Sequence, residues 1–382
     1  MNKFKILFFS LILSGFGFGQ IPANYYNGTE DLEGFALKTK LFNIIKDFNV
    51  QSYNALKDLY QSNNAKNGFK DKYYENDNTI LDIYSENPDG PDPYNFNPNS
   101  SMGSGSAEGD AYNREHLIPQ SYFNEALPMK SDAFHIWPTD SKVNGWRDNF
   151  AFGTVANASS ATPCNSGASN LPCKTKNGSL KGKFTQNSSI TVFEPIDEFK
   201  GDVARAYFYF ATCYENKMSS FFNSSNAGAK NMFDGSNNKA FNETFLQMLI
   251  QWHIMDPVSQ REKDFNDLIY YTHQGNRNPY IDHPEFVSKI WGGDMNLNDF
   301  EYHNSNSLLV FVSPSKEVTV KLAKNNTTIN KVLVYDMNGR LVKEVMNTSD
   351  LQEVKFNMFE KGVYIIKAEG PHLEKNARMI VK

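Results

Sequence analysis

Three short stretches concentrate the residues able to do chemistry. They are Asn113-Arg114-Glu115-His116-Leu117-Ile118-Pro119, then Asp132-Ala133-Phe134-His135-Ile136-Trp137-Pro138-Thr139-Asp140, then Val143-Asn144-Gly145-Trp146-Arg147-Asp148-Asn149-Phe150. In an extended strand, neighbouring side chains leave on opposite faces. Glu115 and His116 can therefore divide labour, one toward a metal and the other toward a substrate. Asn144 adds a neutral oxygen. A carboxylate, an amide oxygen and water suit a hard cation such as Mg²⁺ better than zinc. His135, set among Phe134, Ile136 and Trp137, reads as a hydrogen-bonded core histidine. Arg147 and Asp148 also fit a plain surface pair. The His-Glu-x-x-His helix of zinc proteases is absent, and so is a Gly-x-Ser-x-Gly elbow. The residues alone point to a metal-dependent enzyme.

The elements that must position these residues read as mainly helical, with a strand–loop section among them. Leu37, Leu41, Ile44, Ile45 and Phe48 recur at helical spacing after Glu33-Gly34. Residues 203–214 and 241–253 do the same. A polar, Gly- and Ser-rich loop at 97–106 leads into the first chemical stretch. The chain of 382 residues has room for two domains or three, and its 40% hydrophobic and 21% charged residues exclude a disordered or collagenous protein. A net charge of −5 excludes a globally basic nucleic-acid binder. The charge is uneven: residues 307–382 carry 12 Lys/Arg against 8 Asp/Glu, so the body before them is more acidic still. A polyanion bound there needs a few placed cations or a metal.

Both ends read as export signals. Lys3 and Lys5, the apolar run Ile6-Leu7-Phe8-Phe9 to Leu13 and small residues near Gly17 and Gly19 describe a secretory signal peptide over residues 1–19. The mature chain is expected to start near Gln20. No later stretch approaches the roughly 18 apolar residues that span a bilayer, so no stable membrane insertion is expected. Export permits disulfides; a Cys164–Cys173 bridge would pin a short loop, while Cys213, in an apolar stretch, reads as a buried thiol. Beyond a polar linker at 296–306 the pattern changes to strand period. Val318/Val320/Leu322, Val332/Val334 and Val363/Ile365 alternate, and Asn338-Gly339 separates two runs as a hairpin turn. Residues 307–382 are predicted to form a small β-sandwich. An ordinary adhesive or carbohydrate-binding sandwich fits the same pattern.

The chemical stretches, taken in order, resemble the bacterial endonuclease I family. These are secreted or periplasmic non-specific nucleases with a ββα-metal (His-Me finger) site. The resemblance rests on Arg114-Glu115-His116 with Pro119, on Asp132, His135 and Pro138, and on Val143-Asn144-Gly145, Arg147 and Asn149-Phe150. It extends over residues 20–295 through Phe193-Glu194-Pro195, Lys200-Gly201-Asp202-Val203-Ala204-Arg205 and Gln274-Gly275-Asn276-Arg277-Asn278-Pro279. It implies an α+β fold: a mainly helical nuclease domain with a ββα-metal motif, followed by the all-β sandwich. It also implies Mg²⁺-dependent hydrolysis of DNA, with RNA the open second substrate, leaving 5′-phosphates. His116 would be the general base, and Glu115 and Asn144 the metal ligands. The arginine on the scissile phosphate has no secure match; Arg147 is the catalytic candidate, with Lys130 and Arg205 beside it. A groove near Arg114, Lys130, Lys142 and Arg147 would carry the local cations. The tail resembles the sorting domain of type IX secretion cargo through Val334-Tyr335-Asp336-Met337-Asn338-Gly339-Arg340 and Lys361-Gly362-Val363-Tyr364-Ile365-Ile366-Lys367. Where such domains open with Pro-Asn-Pro, this chain has Val312-Ser313-Pro314-Ser315. The partner implied is that secretion machinery, and the destination is outside the cell. The competing readings are a phosphodiesterase for small substrates and a non-enzymatic secreted nucleic-acid or surface binding protein on a decayed nuclease scaffold.

Overall fold

The computed structural model describes residues 21–100, 102–165, 169–224, 226–292, 308–312, 316–322, 328–336, 340–346, 353–358, 360–370 and 373–381. The expected signal peptide, the expected linker at 296–306 and the expected Asn338-Gly339 turn lie outside the described residues. The body begins with α1 (Gly34–Ile45) and α2 (Ala55–Gln61). A strand pair and short helix follow: β1 (Tyr112–His116), β2 (Ile136–Asp140) and α3 (Ser141–Arg147). Next come β3 (Ala151–Phe152), β4 (Thr162–Pro163), β5 (Cys173–Lys174), β6 (Leu180–Phe184) and β7 (Asn187–Glu194). The body ends with α4 (Lys200–Cys213), α5 (Met218–Phe222), α6 (Glu243–Met255), α7 (Gln260–Thr272), α8 (Pro279–Asp282) and α9 (Glu285–Trp291).

The three helices expected from spacing are present. Leu37, Leu41 and Ile45 bury one stripe of α1. All of α4 is buried, as expected of a helix apolar on nearly every face, and it packs against α1, α6 and α8. Asn242 caps α6 by accepting the Phe245 amide at 2.9 Å, and a Ser259/Glu262 capping box starts α7.

The polar residues of α4 are paired rather than exposed. Lys200 meets Glu194 and Asp197, each at 2.6 Å. Arg205 grips Glu262, and Asp202 takes Arg261. Farther on, Arg277 bridges Asp267 at 2.9 Å and Asp282 at 2.7 Å. Several of the motif residues outside the chemical stretches thus hold the domain together. Gly201 is one of them: a Cβ there would come within 2.1 Å of the Asp256 carbonyl oxygen.

The strand–loop section is a five-stranded mixed sheet in the order β3-β7-β6-β5-β4. Cys164 and Cys173 form the expected disulfide beside its β4–β5 edge, and Cys213 is a buried free thiol.

The tail forms two sheets. One has the order β11-β10-β13-β14 and the other β12-β9-β8. Their strands are β8 (Leu308–Val312), β9 (Glu317–Leu322), β10 (Lys331–Asp336), β11 (Leu341–Met346), β12 (Glu353–Asn357), β13 (Gly362–Gly370) and β14 (Leu373–Val381). Val318, Val320, Val354 and Phe356 of one sheet share a core with Val332, Val334, Tyr364, Ile366 and Ala368 of the other, so the region is a sandwich. In β13 the buried phase is Tyr364/Ile366/Ala368, so Ile365 of the alternating pair Val363/Ile365 is 40% exposed. The two regions have separate hydrophobic cores, and together they give the expected α+β class.

Candidate active site

β1 and β2 pair antiparallel with Glu115 opposite Trp137 and His116 opposite Ile136. Asp140, the last residue of β2, caps α3 by accepting the amides of Lys142 (2.7 Å) and Val143 (2.8 Å) through Oδ1. That cap turns the chain from strand into helix and brings Asn144 back to β1, where its Nδ2 donates to the Arg114 carbonyl at 3.1 Å. The arrangement is strand, strand, helix. It carries Glu115, His116 and Asn144, up to 29 positions apart in sequence, on one unit.

Glu115 is buried. Its Oε1 accepts the Tyr84 hydroxyl at 3.1 Å and pairs with the Arg147 guanidinium at 3.0 Å. Burial pushes its pKa up, while Arg147 and the Tyr84 hydroxyl work against that rise. His116 is 8% exposed, and its Nε2 is enclosed without a hydrogen-bond partner. Burial, helped by the charges of Lys130, Arg147 and Arg114, brings its pKa down to about 3. The ring is therefore neutral at ordinary pH, the state in which it can accept a proton. Tyr53 stacks against it at 5.8 Å between ring centroids. The same Tyr53 ring carries the Arg114 guanidinium at 4.2 Å and the Lys130 ammonium at 5.3 Å. Both cations are partly exposed; Lys130 also pairs with Glu125 at 2.5 Å, and Arg114 keeps the side of the site beside His116 basic although the chain is acidic.

Arg147 does not form a surface pair. It is 1% exposed while Asp148 is exposed, and its guanidinium donates to the carbonyls of His116 (2.7 Å) and Leu117 (2.5 Å) besides meeting Glu115. The Phe152 ring lies 4.6 Å from it. Arg205, the other arginine considered for the phosphate, is fully buried against Glu262 and Asp202. Lys142 sits over the Trp146 ring at 5.9 Å. His135 is the core histidine expected: fully buried, with Nε2 2.9 Å from the Met129 carbonyl oxygen. Asp132 is a buried hub that accepts from Tyr209 (3.0 Å), Tyr214 (2.7 Å) and Gln274 (2.8 Å).

Sequence reasoning missed Tyr53, Tyr84 and Tyr207. Tyr207 donates to the Leu117 carbonyl at 2.6 Å, beside Arg147. None of the three lies in the chemical stretches, and a chain with 19 tyrosines gives no local sign of which ones face the site.

The family described as Endonuclease I matches residues 33–285. The chain belongs to the endonuclease I family. It is similar to an extracellular ribonuclease of Bacillus amyloliquefaciens, 31% identical over 279 residues that cover 70% of this chain and 78% of that one. It is also similar to an extracellular ribonuclease of Bacillus subtilis (strain 168), 30% identical over 276 residues with the same coverage. A secretion system C-terminal sorting domain matches residues 310–382, in agreement with the type IX reading of the tail. This endonuclease I relative is a secreted nuclease. Among the described residues, no helix is long and apolar enough to cross a membrane.

Proposed function

We propose that the enzyme hydrolyses phosphodiester bonds of DNA and RNA with little regard to sequence, using His116 as general base and a Mg²⁺ ion held by Glu115 and Asn144. The observation that supports this best is the strand–strand–helix unit, which carries a neutral histidine, a carboxylate and an amide beside two partly exposed cations. The donor set fits a hard cation. The contacts of Glu115 with Tyr84 and Arg147 fall on Oε1, which leaves Oε2 for a metal. The Asn144 Nδ2 is committed to the Arg114 carbonyl, so Oδ1 is the free end of the amide. A bound Mg²⁺ would supply the positive charge that steadies the leaving oxygen.

The chain's own residues do the rest. The enclosed Nε2 of His116 leaves Nδ1 to take the proton of the attacking water. Tyr53 keeps the ring in place by stacking. Arg114 and Lys130 hold backbone phosphates, and contacts to phosphate carry no base information. Arg147 positions rather than binds: it fixes the Glu115 carboxylate and the backbone of His116 at once. The relatives' description as ribonucleases favours RNA as a substrate beside DNA.

The test is incubation of the purified protein with plasmid, single-stranded DNA, RNA and a small phosphodiester, each with and without EDTA. Metal-dependent cleavage of all three polymers, with the small diester left intact, is expected. Cleavage of the small diester alone would overturn the reading.

A further inference from the structure

The segment between α2 and β1 holds a second group of acids, apart from Glu115. One carboxylate oxygen from each of Asp71, Glu75 and Glu86 lies within 4.8 Å of the other two. Oxygens bound at 2.3–2.6 Å to one Ca²⁺ ion can stand no farther apart than about this. Asp71 and Glu86 are each only 1% exposed. Asp71 commits Oδ1 to the amides of Tyr73 (3.1 Å) and Tyr74 (3.0 Å), and its Oδ2 is buried with no hydrogen-bond partner. Glu86 Oε1 is buried without a partner as well.

Among the described residues, no basic side chain forms an ion pair with Asp71, Glu75, Glu86 or the nearby Asp92. The lysines close in sequence are turned to other oxygens. Lys70 donates to Asn63 Oδ1 at 3.1 Å, and Lys72 to the carbonyls of Asn64 (2.9 Å) and Ala65 (3.2 Å). A buried carboxylate ordinarily has a cation or a set of donors. Asp71 Oδ2 and Glu86 Oε1 have neither, and a carboxylate oxygen of each acid lies close to one of Glu75, a lining that suits something positive.

The backbone builds the site on purpose-made turns. Asp71 and Thr79 are joined by a 2.9 Å bond from the Asp71 amide, and the Asn78 amide returns to the Asp71 carbonyl at 2.9 Å, closing the loop that carries Glu75. The amides of Ser85 and Glu86 both donate to the Asp82 carbonyl, and that turn presents Glu86. We propose that Asp71, Glu75 and Glu86 bind a calcium ion, distinct from the Mg²⁺ at Glu115 and Asn144. Calcium suits an all-protein set of carboxylate oxygens on irregular backbone. Mg²⁺ demands near-octahedral geometry and keeps its water. Asp92 adds negative charge at the edge of the site. In the absence of a cation, burial with the charges of Asp92, Asp71 and Glu75 pushes the Glu86 carboxyl up to about 9.

The experiment uses the full secreted protein after chelator treatment, with calcium alone as the probe. Calcium is titrated while Tm is followed, and Tb³⁺ luminescence is read in parallel through the adjacent Tyr73 and Tyr74. A saturable rise of about 5 °C is expected at calcium a hundredfold above its Kd. Asn144→Ala, which touches only the other site, is expected to keep the rise. Glu75→Gln, an exposed change safe for folding, is expected to weaken the titration at least tenfold, and Glu86→Gln to abolish it. An unchanged Tm in wild type up to millimolar calcium would overturn the proposal. So would a full rise in Glu86→Gln, or a rise of the same size with Mg²⁺ in Asn144→Ala.

Discussion

Replacing Arg147 with methionine separates a positioning role from a phosphate-binding one. The guanidinium makes two charge-assisted bonds to main-chain carbonyls and pairs with Glu115, all within 3.0 Å and all buried. Methionine retains much of the stem but leaves the Glu115 charge without its cation. Breaking a buried pair from one side costs about 3–5 kcal/mol. At about 2–4 °C per kcal/mol in a domain of this size, Tm is expected to fall by about 10 °C. The pH dependence has a definite sign. Burial already raises the Glu115 pKa and Arg147 opposes that rise, so the variant raises it further. A carboxyl with a raised folded pKa disfavours folding as pH climbs from its unfolded value through its folded one. The gap between wild type and variant is therefore expected to be smaller near pH 5 than near pH 8. Activity is expected to need more Mg²⁺, because a more protonated Glu115 is a poorer ligand. Thermal melts at both pH values and a Mg²⁺ titration of initial rates check this. A variant with wild-type Tm and an unchanged Mg²⁺ titration, but a lower kcat, would refute the reasoning and turn the guanidinium toward substrate.

Further outcomes follow from the same geometry. His116→Ala is expected to lose about 10²–10⁴ in rate, with Mg²⁺ affinity kept, as read by kinetics and metal titration. Asn144→Ala is expected to raise the Mg²⁺ concentration for half-maximal rate with little change in Tm, since its side chain makes a single bond to the fold. Reducing Cys164–Cys173, which closes a loop of sequence separation 9, is expected to remove about 2–3 kcal/mol and lower Tm while activity below the transition persists. Truncation after residue 306 is expected to leave purified nuclease activity unchanged, because the tail has its own core, and to block export in cells with the matching secretion machinery. Lost activity with normal export would give the tail a substrate-binding role.

Much of the proposed site is legible in the sequence because its candidate residues are local. Glu115 and His116 are neighbours in one strand, and Asn144 follows the second strand by one helical turn. The helices α1, α4 and α6 declared themselves through apolar spacing. Arg147 was harder. Next to Asp148 it looks like half of a surface pair, and only the return of α3 onto β1 brings it under Glu115, 32 positions earlier. A charged residue's burial depends on such a distant partner and leaves no mark on the local pattern. The five-stranded sheet was hidden for another reason: β3, β4 and β5 are two residues long, too short to show any period. In β13 the apolar residues run on both faces, so alternation could not tell which face is buried.

The Asp132 hub has a kinetic consequence. Its donors come from α4, from the turn after it, and from Gln274, 142 positions downstream. The Tyr26 hydroxyl likewise closes on Asp282 across 256 positions. Contacts of such long separation are slow to form, since loop closure precedes any gain from them. The residues proposed to do the chemistry are all made by position 147, yet the bonds that fix the ground beneath them wait for residues 274–282. A chain still emerging, or still threading across a membrane, carries the proposed catalytic side chains without the frame that orients them, and is expected to stay silent toward nucleic acid until the whole domain has been delivered.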